Sequence, residues 1–128
     1  MPKGSSWAHA IDLERFRGVR TGERAGEALY GRESEVPEGE YLTPIGKANI
    51  LQDGVDLTIV THGRSCWTVL EANQELLKMG IRAEIIDLRS IKPLDWPTVF
   101  ASVRKTHKLV CVDETKPFCG VSSQVAAE

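Results

Sequence analysis

The chain has 128 residues, and its 16 Lys and Arg against 18 Asp and Glu give a formal net charge of −2. Hydrophobic residues make up 41% and charged residues 27%, which is typical of an ordinary globular domain. These values exclude a strongly basic nucleic-acid-binding protein and an enzyme of two or three nucleotide-binding-sized domains. The sequence has no run of about 18 apolar residues, so no transmembrane helix is expected.

The first part of the chain differs in composition from the rest. Residues 1–28 mix both charges with only patchy apolar positions, which predicts a poorly ordered leader. This leader lacks the apolar core of a secretory signal, and its acidic residues disfavour a mitochondrial presequence. Residues 29–45 include an acidic stretch with Pro and Gly, typical of a linker. Residues 46–128 are therefore the predicted folded domain.

The first half of that domain contains two predicted strands and a helix. Residues 47–51 form a short strand candidate that ends before the turn dipeptide Asp53-Gly54. Residues 57–61 are β-branched and apolar, which predicts a strand buried on both faces. Ser65 is a candidate helix N-cap, and apolar residues then recur at helical spacing until Gly80, a candidate C-terminal glycine.

The second half repeats this alternation. Residues 83–88 predict an Ile-rich strand, and Asp95 is the candidate N-cap of a second helix. Residues 108–113 predict a third buried strand, with Cys111 as a buried thiol, and a small-residue helix begins near Gly120. Alternating strands and helices predict an α/β fold in three layers, a mostly parallel sheet with helices on both faces.

Ligands of such sheets gather beyond the carboxyl ends of the strands. Six residues at these ends form a candidate ligand or interface shelf: His62, Gly63, Arg64, Arg89, Asp113 and Glu114. The shelf could bind a small anion through Arg64 and the amides near Gly63. Alternatively, Gly63 permits a tight turn and Arg64 is solvated, which we favour because the Gly-x-Gly-x-x-Gly phosphate fingerprint is absent.

Catalytic and metal sites are poorly supported. His62 lies near Ser65 and Cys66, but no Gly-x-Ser-x-Gly setting marks a nucleophile. Asp113 and Glu114 are adjacent, so they point to opposite faces of a strand. The histidines are scattered, which argues against a metal site. Three cysteines without paired spacing indicate free thiols and a reducing compartment. We therefore predict no catalytic residue, no bound cofactor and no metal ligand in this chain.

Several sequence motifs resemble those of one family. The segments that carry the resemblance are Leu29-Tyr-Gly-Arg32, Pro44-Ile-Gly-Lys-Ala48, Asp56-Leu-Thr-Ile-Val60, Gly80-Ile-Arg-Ala-Glu-Ile-Ile-Asp-Leu-Arg89 and Ile91-Lys-Pro-Leu-Asp95. They are similar to the C-terminal, transketolase-C-like domain of the beta subunit of the thiamine-diphosphate-dependent decarboxylating component of 2-oxoacid dehydrogenase complexes. The motifs are most similar to those of pyruvate dehydrogenase, and the acetoin and branched-chain relatives are near alternatives. The resemblance covers about residues 29–128.

This resemblance implies part of an oxidative decarboxylase that passes an acetyl group to lipoyl. The parent enzyme would use thiamine diphosphate and Mg²⁺, whereas this chain lacks the preceding pyrimidine-binding domain, so no cofactor and no activity are expected of it alone. The family also continues beyond Glu128, and Ser122-Ser-Gln124 replaces a Gly or Ala followed by an acid. The chain is therefore expected to be a truncated piece of the subunit.

The implied role of such a piece is assembly. Its expected partners are the alpha subunit and second beta subunit of a heterotetramer and the subunit-binding domain of the acyltransferase, with no nucleic acid and no membrane. The implied location is the bacterial cytoplasm, the mitochondrial matrix or a plastid. The alternative is a free-standing small-anion-binding or interaction module of the same fold. The abrupt end of the chain also predicts an exposed sheet edge that associates.

Overall fold

Residues 42–128 are described by a computed structural model of the chain. They form four strands, β1 (Asn49–Gln52), β2 (Leu57–Thr61), β3 (Ala83–Asp87) and β4 (Leu109–Val112). The three helices are α1 (Ser65–Lys78), α2 (Trp96–Thr106) and α3 (Val121–Ala127). No helix within this range is long and apolar enough to cross a membrane. The predicted leader (1–28) and linker residues 29–41 lie outside the described residues.

The strands are arranged in the order β1-β3-β2-β4. β2 is parallel to both β3 and β4, and β1 is antiparallel to β3. Successive side chains of a strand point to opposite faces, which creates two apolar layers. One layer joins Ile59 and Ile85 to Val69 of α1, and the other joins Val60 and Ile86 to α2 and α3. The predicted three-layer, mostly parallel fold is confirmed.

Helix ends follow the predicted chemistry in two of three cases. Asp95 caps α2, because its carboxylate accepts two hydrogen bonds from Thr98. The backbone amide of Thr98 donates at 3.4 Å and the hydroxyl of Thr98 donates at 2.8 Å. Gly80 follows α1 with a φ of +78°, which a glycine adopts without strain. Ser65 is not the N-cap of α1. Arg64 occupies that position with helical angles and no side-chain cap, because Gly63 turns the chain first.

Two strands differ from their predicted bounds or surroundings. β1 begins at Asn49 rather than at residue 47, because the amide of Ala48 donates to the Asp95 carboxylate at 3.0 Å rather than to a neighbouring strand. β4 is not a buried strand as predicted. It is the last strand of the described sheet, so Cys111 is only partly buried and the Val110 side chain is 43% exposed.

The interface between α2 and the sheet includes a cluster of buried hydroxyl groups that the sequence pattern does not predict. The buried hydroxyl of Thr58 on β2 lies 2.7 Å from the hydroxyl of Ser102 and 2.6 Å from that of Thr106. All three side chains are at least nine-tenths buried. Buried hydroxyl groups are costly unless hydrogen-bonded, and here each one contacts another.

Glu84 lies beside these hydroxyls with its side chain only 3% exposed, and its carboxylate pairs with the ammonium of Lys105 on α2. Burial raises the pKa of Glu84, but hydrogen bonds from Lys105, Ser102 and the Gly54 amide, with the Lys105 charge, lower it below its usual value. Gly54 approaches β3 so closely that a Cβ there would lie 2.2 Å from the carbonyl carbon of Ala83. Glu84 therefore joins α2, β3 and the segment before β2.

Breaking this pair, of which only Glu84 is buried, is expected to destabilise the fold. We predict that Lys105→Met lowers the free energy of unfolding by about 2 kcal/mol, because it leaves a buried carboxylate without its cation, although the Lys105 side chain is 42% exposed and its charge is partly screened. The matched control is Lys78→Met, which removes an ion pair with Glu75 whose side chains are 71% and 70% exposed. That control is expected to cost less than about 0.5 kcal/mol. Urea denaturation of both variants measures the difference, and equal losses would contradict the role of Glu84.

Candidate functional site

The strand register places the predicted shelf at one edge of the sheet. Thr61, the last residue of β2, is paired with Asp87 of β3 on one side and with Val112 of β4 on the other. The residues that follow these three strands therefore lie along the same carboxyl edge. The six shelf residues all belong to these segments: His62, Gly63, Arg64, Arg89, Asp113 and Glu114.

The arginines of the shelf face carboxylates. A guanidinium nitrogen of Arg64 donates to Oε1 of Glu114 at 2.6 Å, which links the ends of β2 and β4. The Nε atom of Arg89 lies 4.0 Å from Oδ2 of Asp87, whose Oδ1 accepts the Arg89 amide at 3.2 Å. Asp87 thus orders the loop that follows β3. Both positive charges thus have an acidic neighbour within the shelf.

Asp113 is engaged by the loop and helix that follow it. Its Oδ1 accepts the amide and the hydroxyl of Thr115 at 3.0 and 2.8 Å, and its Oδ2 accepts the Ser122 amide at 2.9 Å. Ser122 lies in the first turn of α3, whose N-cap residue, Gly120, has no side chain to offer. Asp113, which directly follows β4, therefore caps the N-terminus of α3. The sequence pattern did not predict this role, because Asp113 and Ser122 are nine positions apart.

Burial raises the pKa of the Asp113 carboxyl, but the hydrogen bonds from Ser122 and Thr115 outweigh it and lower the pKa to about 2. The neighbouring Cys111 thiol has its pKa raised, first by burial and then by the Asp113 charge. All three cysteines are free, in agreement with the predicted absence of a disulfide framework. The shelf thus combines a strongly acidic, structurally engaged carboxylate with an unreactive thiol nearby.

Buried polar atoms within and beside the shelf lack partners among residues 42–128. They are the hydroxyl oxygens of Thr61 and Ser90 and the Nε2 atom of His62. Thr61 and Ser90 are each 1% exposed. Sequence analysis named His62 but missed Thr61 and Ser90, although both stand at strand ends beside shelf residues. Buried polar groups are nearly always hydrogen-bonded, so these atoms have hydrogen-bonding capacity that the residues 42–128 do not use.

Together these features define a class: a three-layer α/β domain whose carboxyl edge is polar, internally ion-paired and free of a recognisable catalytic set within residues 42–128. In that range no group of three or more His, Cys, Asp or Glu side chains could hold a metal ion. The profile of the family described as "Transketolase, C-terminal domain" matches residues 46–128. The chain belongs to this family, as its sequence motifs imply.

Relatives of the chain include beta subunits of an acetoin oxidoreductase and of pyruvate dehydrogenase E1. The chain is 51% identical over 100 residues to the beta subunit of an acetoin:2,6-dichlorophenolindophenol oxidoreductase of Cupriavidus necator, covering 78% of this chain and 30% of that subunit. It is 47% identical over 105 residues to the mitochondrial pyruvate dehydrogenase E1 beta subunit of Drosophila melanogaster, covering 79% and 29%. The chain therefore spans about three-tenths of the length of these relatives.

A solved structure supports the same family. The chain superposes on a split-gene transketolase, described as an inactive beta4 tetramer, with a TM-score of 0.66 and 33% sequence identity. The match covers 73% of this chain and 31% of that one. The relatives include bacterial and mitochondrial subunits, which agrees with the expected range of origins. The chain is thus a transketolase C-terminal domain that is similar to part of the beta subunits of pyruvate dehydrogenase E1 and of an acetoin oxidoreductase.

The lowered pKa of Asp113 predicts a loss of stability in acid. A carboxyl whose pKa falls on folding stabilises the native state fully above its unfolded value, near 4, and loses that contribution as the pH falls toward 2. We expect Asp113→Asn to cost about 1 kcal/mol at pH 6 and progressively less between pH 4 and pH 2. Urea titrations of both proteins across this range measure it. A difference that stays constant with pH would contradict the assignment.

Two threonines of β2 provide a test of the unpartnered atoms. Thr58→Val removes a hydroxyl that contacts two others, so we expect a loss of about 1–3 kcal/mol in unfolding free energy. Thr61→Val removes a buried hydroxyl without a partner among residues 42–128, so we expect a change within about 0.5 kcal/mol or a gain in stability. Urea denaturation of both variants decides it. Equal losses would show that Thr61 is bonded in the native state.

Proposed function

We propose that this chain serves the assembly of a pyruvate dehydrogenase-type E1 enzyme rather than its chemistry. In this proposal the shelf contacts the alpha subunit or a second beta subunit. Another part of the domain surface helps to dock the subunit-binding domain of the acyltransferase. The parent enzyme decarboxylates a 2-oxoacid with thiamine diphosphate and passes the acetyl group to lipoyl. The domain itself is inactive in isolation.

The observation that carries this proposal is the set of buried atoms without partners at the shelf. The hydroxyls of Thr61 and Ser90 and the Nε2 atom of His62 are removed from water but have no hydrogen-bond partner within residues 42–128. An unmet buried polar group costs about 1–3 kcal/mol, so a protein surface that donates to or accepts from these atoms gains that free energy on association. Such a surface favours a polypeptide partner.

The described residues do not fit the diphosphate and magnesium ion of the parent cofactor. A diphosphate site needs cations or free amides, and the arginines of the shelf already face the carboxylates of Glu114 and Asp87. A magnesium site needs convergent oxygen ligands, and residues 42–128 contain no acidic cluster that would provide them. No step through the cofactor is therefore assigned to these side chains.

The same ion pairs weigh against the second candidate, a free-standing module that binds a small anion. An incoming anion would compete with Glu114 for Arg64 and would be repelled by Asp113, whose low pKa keeps it charged. Gly63, with a φ of +58°, retains the turn geometry that an anion-binding loop uses, but no unpaired cation accompanies it in the part of the shelf described above. The shelf therefore suits a protein contact better than a phosphate.

Binding to purified subunits tests the proposal. We expect the chain to bind at least one of three immobilised probes: the E1 alpha subunit, the E1 beta subunit or the acyltransferase subunit-binding domain of a bacterial pyruvate dehydrogenase complex. His62→Ala is expected to weaken binding to the E1 subunit at the shelf about tenfold, since one buried hydrogen bond is lost there. Gln52→Ala, on the exposed part of β1, is the control and should leave binding unchanged.

Calorimetry with small ligands can contradict the proposed assembly role. If the chain binds none of the three subunits but binds thiamine diphosphate with Mg²⁺ saturably at micromolar concentration, the assembly role is wrong. If inorganic phosphate raises the melting temperature of the chain and Arg64→Ala abolishes that shift, the anion-binding module replaces it.

A further inference from the structure

A groove of about 500 Å³ is lined by the loop that follows β3 and by the start of α3. Leu94 and Trp96 line it where the chain enters α2, and Val121 lines it from α3. These three apolar side chains also pack against the layer of the core that contains Val60 and Ile86. The volume lies in the range of about 300–1,000 Å³ that is usual for binding pockets. We call this feature the Trp96 groove.

Two lysines give this groove a positive rim. Lys92 lines the groove with an exposed side chain. Burial raises the pKa of the Asp95 carboxyl, but hydrogen bonds from Ala48 and Thr98 and the charge of Lys47 lower it below its usual value. Lys47, which is exposed, therefore lies close to the residue that caps α2. Asp95 is only 3% exposed, and no acidic side chain among residues 42–128 lines the groove, so the groove suits an acidic segment.

The chain that enters the domain passes beside the same groove. Ile45 and Gly46 form a turn, and a Cβ on Gly46 would lie 3.0 Å from Cγ of Pro93, which lines the groove. Two residues later the amide of Ala48 donates to the Asp95 carboxylate at 3.0 Å. An extended chain spans about 3.3 Å per residue, so residues within about ten positions of Gly46 can reach every part of the groove.

The sequence just before this turn has the chemistry that the groove accepts. Residues 33–41, which precede the described part of the chain, read Glu-Ser-Glu-Val-Pro-Glu-Gly-Glu-Tyr. They contain no Lys or Arg, so their charge complements the two lysines of the rim. A residue that precedes proline favours an extended backbone, and extended proline-containing segments dock in grooves lined by aromatic side chains. The pair Val36-Pro37 therefore matches a groove lined by an indole ring.

We propose that residues 33–41 of this chain occupy the Trp96 groove, with Val36 and Pro37 against the indole ring and the flanking glutamates beside Lys47 and Lys92. Contact between the apolar side chains and the groove removes apolar surface from water, and the charges fix the direction of the segment. The segment then holds the loop after β3 and the start of α3 together. This inference concerns contacts within one chain and does not depend on the proposed assembly role.

Digestion of the full 128-residue chain with a glutamate-specific protease tests the contact. We expect Lys92→Glu to accelerate cleavage after Glu35 and Glu38 roughly fivefold, because an attraction between exposed charges becomes a repulsion. Cleavage after Glu23, outside the proposed segment, is the internal reference and should not change. The matched control is Lys78→Glu, which makes the same change of net charge on α1, a helix that packs on the opposite face of the sheet.

A cross-link tests the position of the segment independently of its charge. Cys119 lines the groove and is exposed, whereas Cys66 is buried. In a Cys111→Ser background, Val36→Cys should form an intramolecular disulfide with Cys119 when dilute protein is treated with diamide, as detected by peptide mapping. The control is Gly18→Cys, which should react much more slowly. Loop-closure entropy differs little between these two loop lengths, so a difference in rate reports docking.

Three outcomes would overturn the proposal. The first is an equal rate of cross-linking for Val36→Cys and Gly18→Cys. The second is a Lys92→Glu variant whose cleavage within the segment is no faster than that of Lys78→Glu. The third is a disulfide that joins two copies of the chain, because the segment would then occupy the groove of a neighbouring molecule.

Discussion

The buried carboxylate of Glu84 is the constraint around which this domain is arranged. A charge placed beneath a helix is tolerated only when cation and hydrogen-bond donors surround it, and here they come from three separate segments. Lys105 and Ser102 fix the rotation and depth of α2, while the Gly54 amide fixes the chain that enters β2. The hydroxyls of Thr58 and Thr106 extend the same polar layer. Apolar packing alone would hold α2 on the sheet, but it would allow the helix to slide.

Carboxylates that join distant segments recur in the fold. Asp95 caps α2 and also accepts the Ala48 amide, which holds the chain ahead of β1 against that helix. Asp113 caps α3 from the end of β4. Each carboxylate has a lowered pKa because donors outweigh the effect of burial. Three loops of the domain are thus held in place by acidic side chains.

Sequence patterns predicted the fold well where one local rule decides the outcome. β-Branched runs marked β2 and β3, Gly80 ended α1, and Asp95 capped α2. They failed where tertiary neighbours decide. Ser65 does not cap α1, because the turn at Gly63 places Arg64 at the N-cap position. β4 was predicted to be buried because an apolar run does not reveal whether a strand lies inside a sheet or at its edge. The order of strands and helices was enough to expect the six shelf residues near one edge of the sheet, but their ion pairs, and the burial of Thr61 and Ser90, depend on distances that spacing does not encode.

The proposed contact surface at the carboxyl edge can be tested by hydrogen–deuterium exchange of the 128-residue chain, measured with and without the separate E1 alpha and E1 beta subunits. We expect slowed amide exchange in residues 61–64 and 89–90 when one of these subunits is added, with little change in β1. Protection of these residues by thiamine diphosphate and Mg²⁺ alone, with none from either subunit, would contradict it.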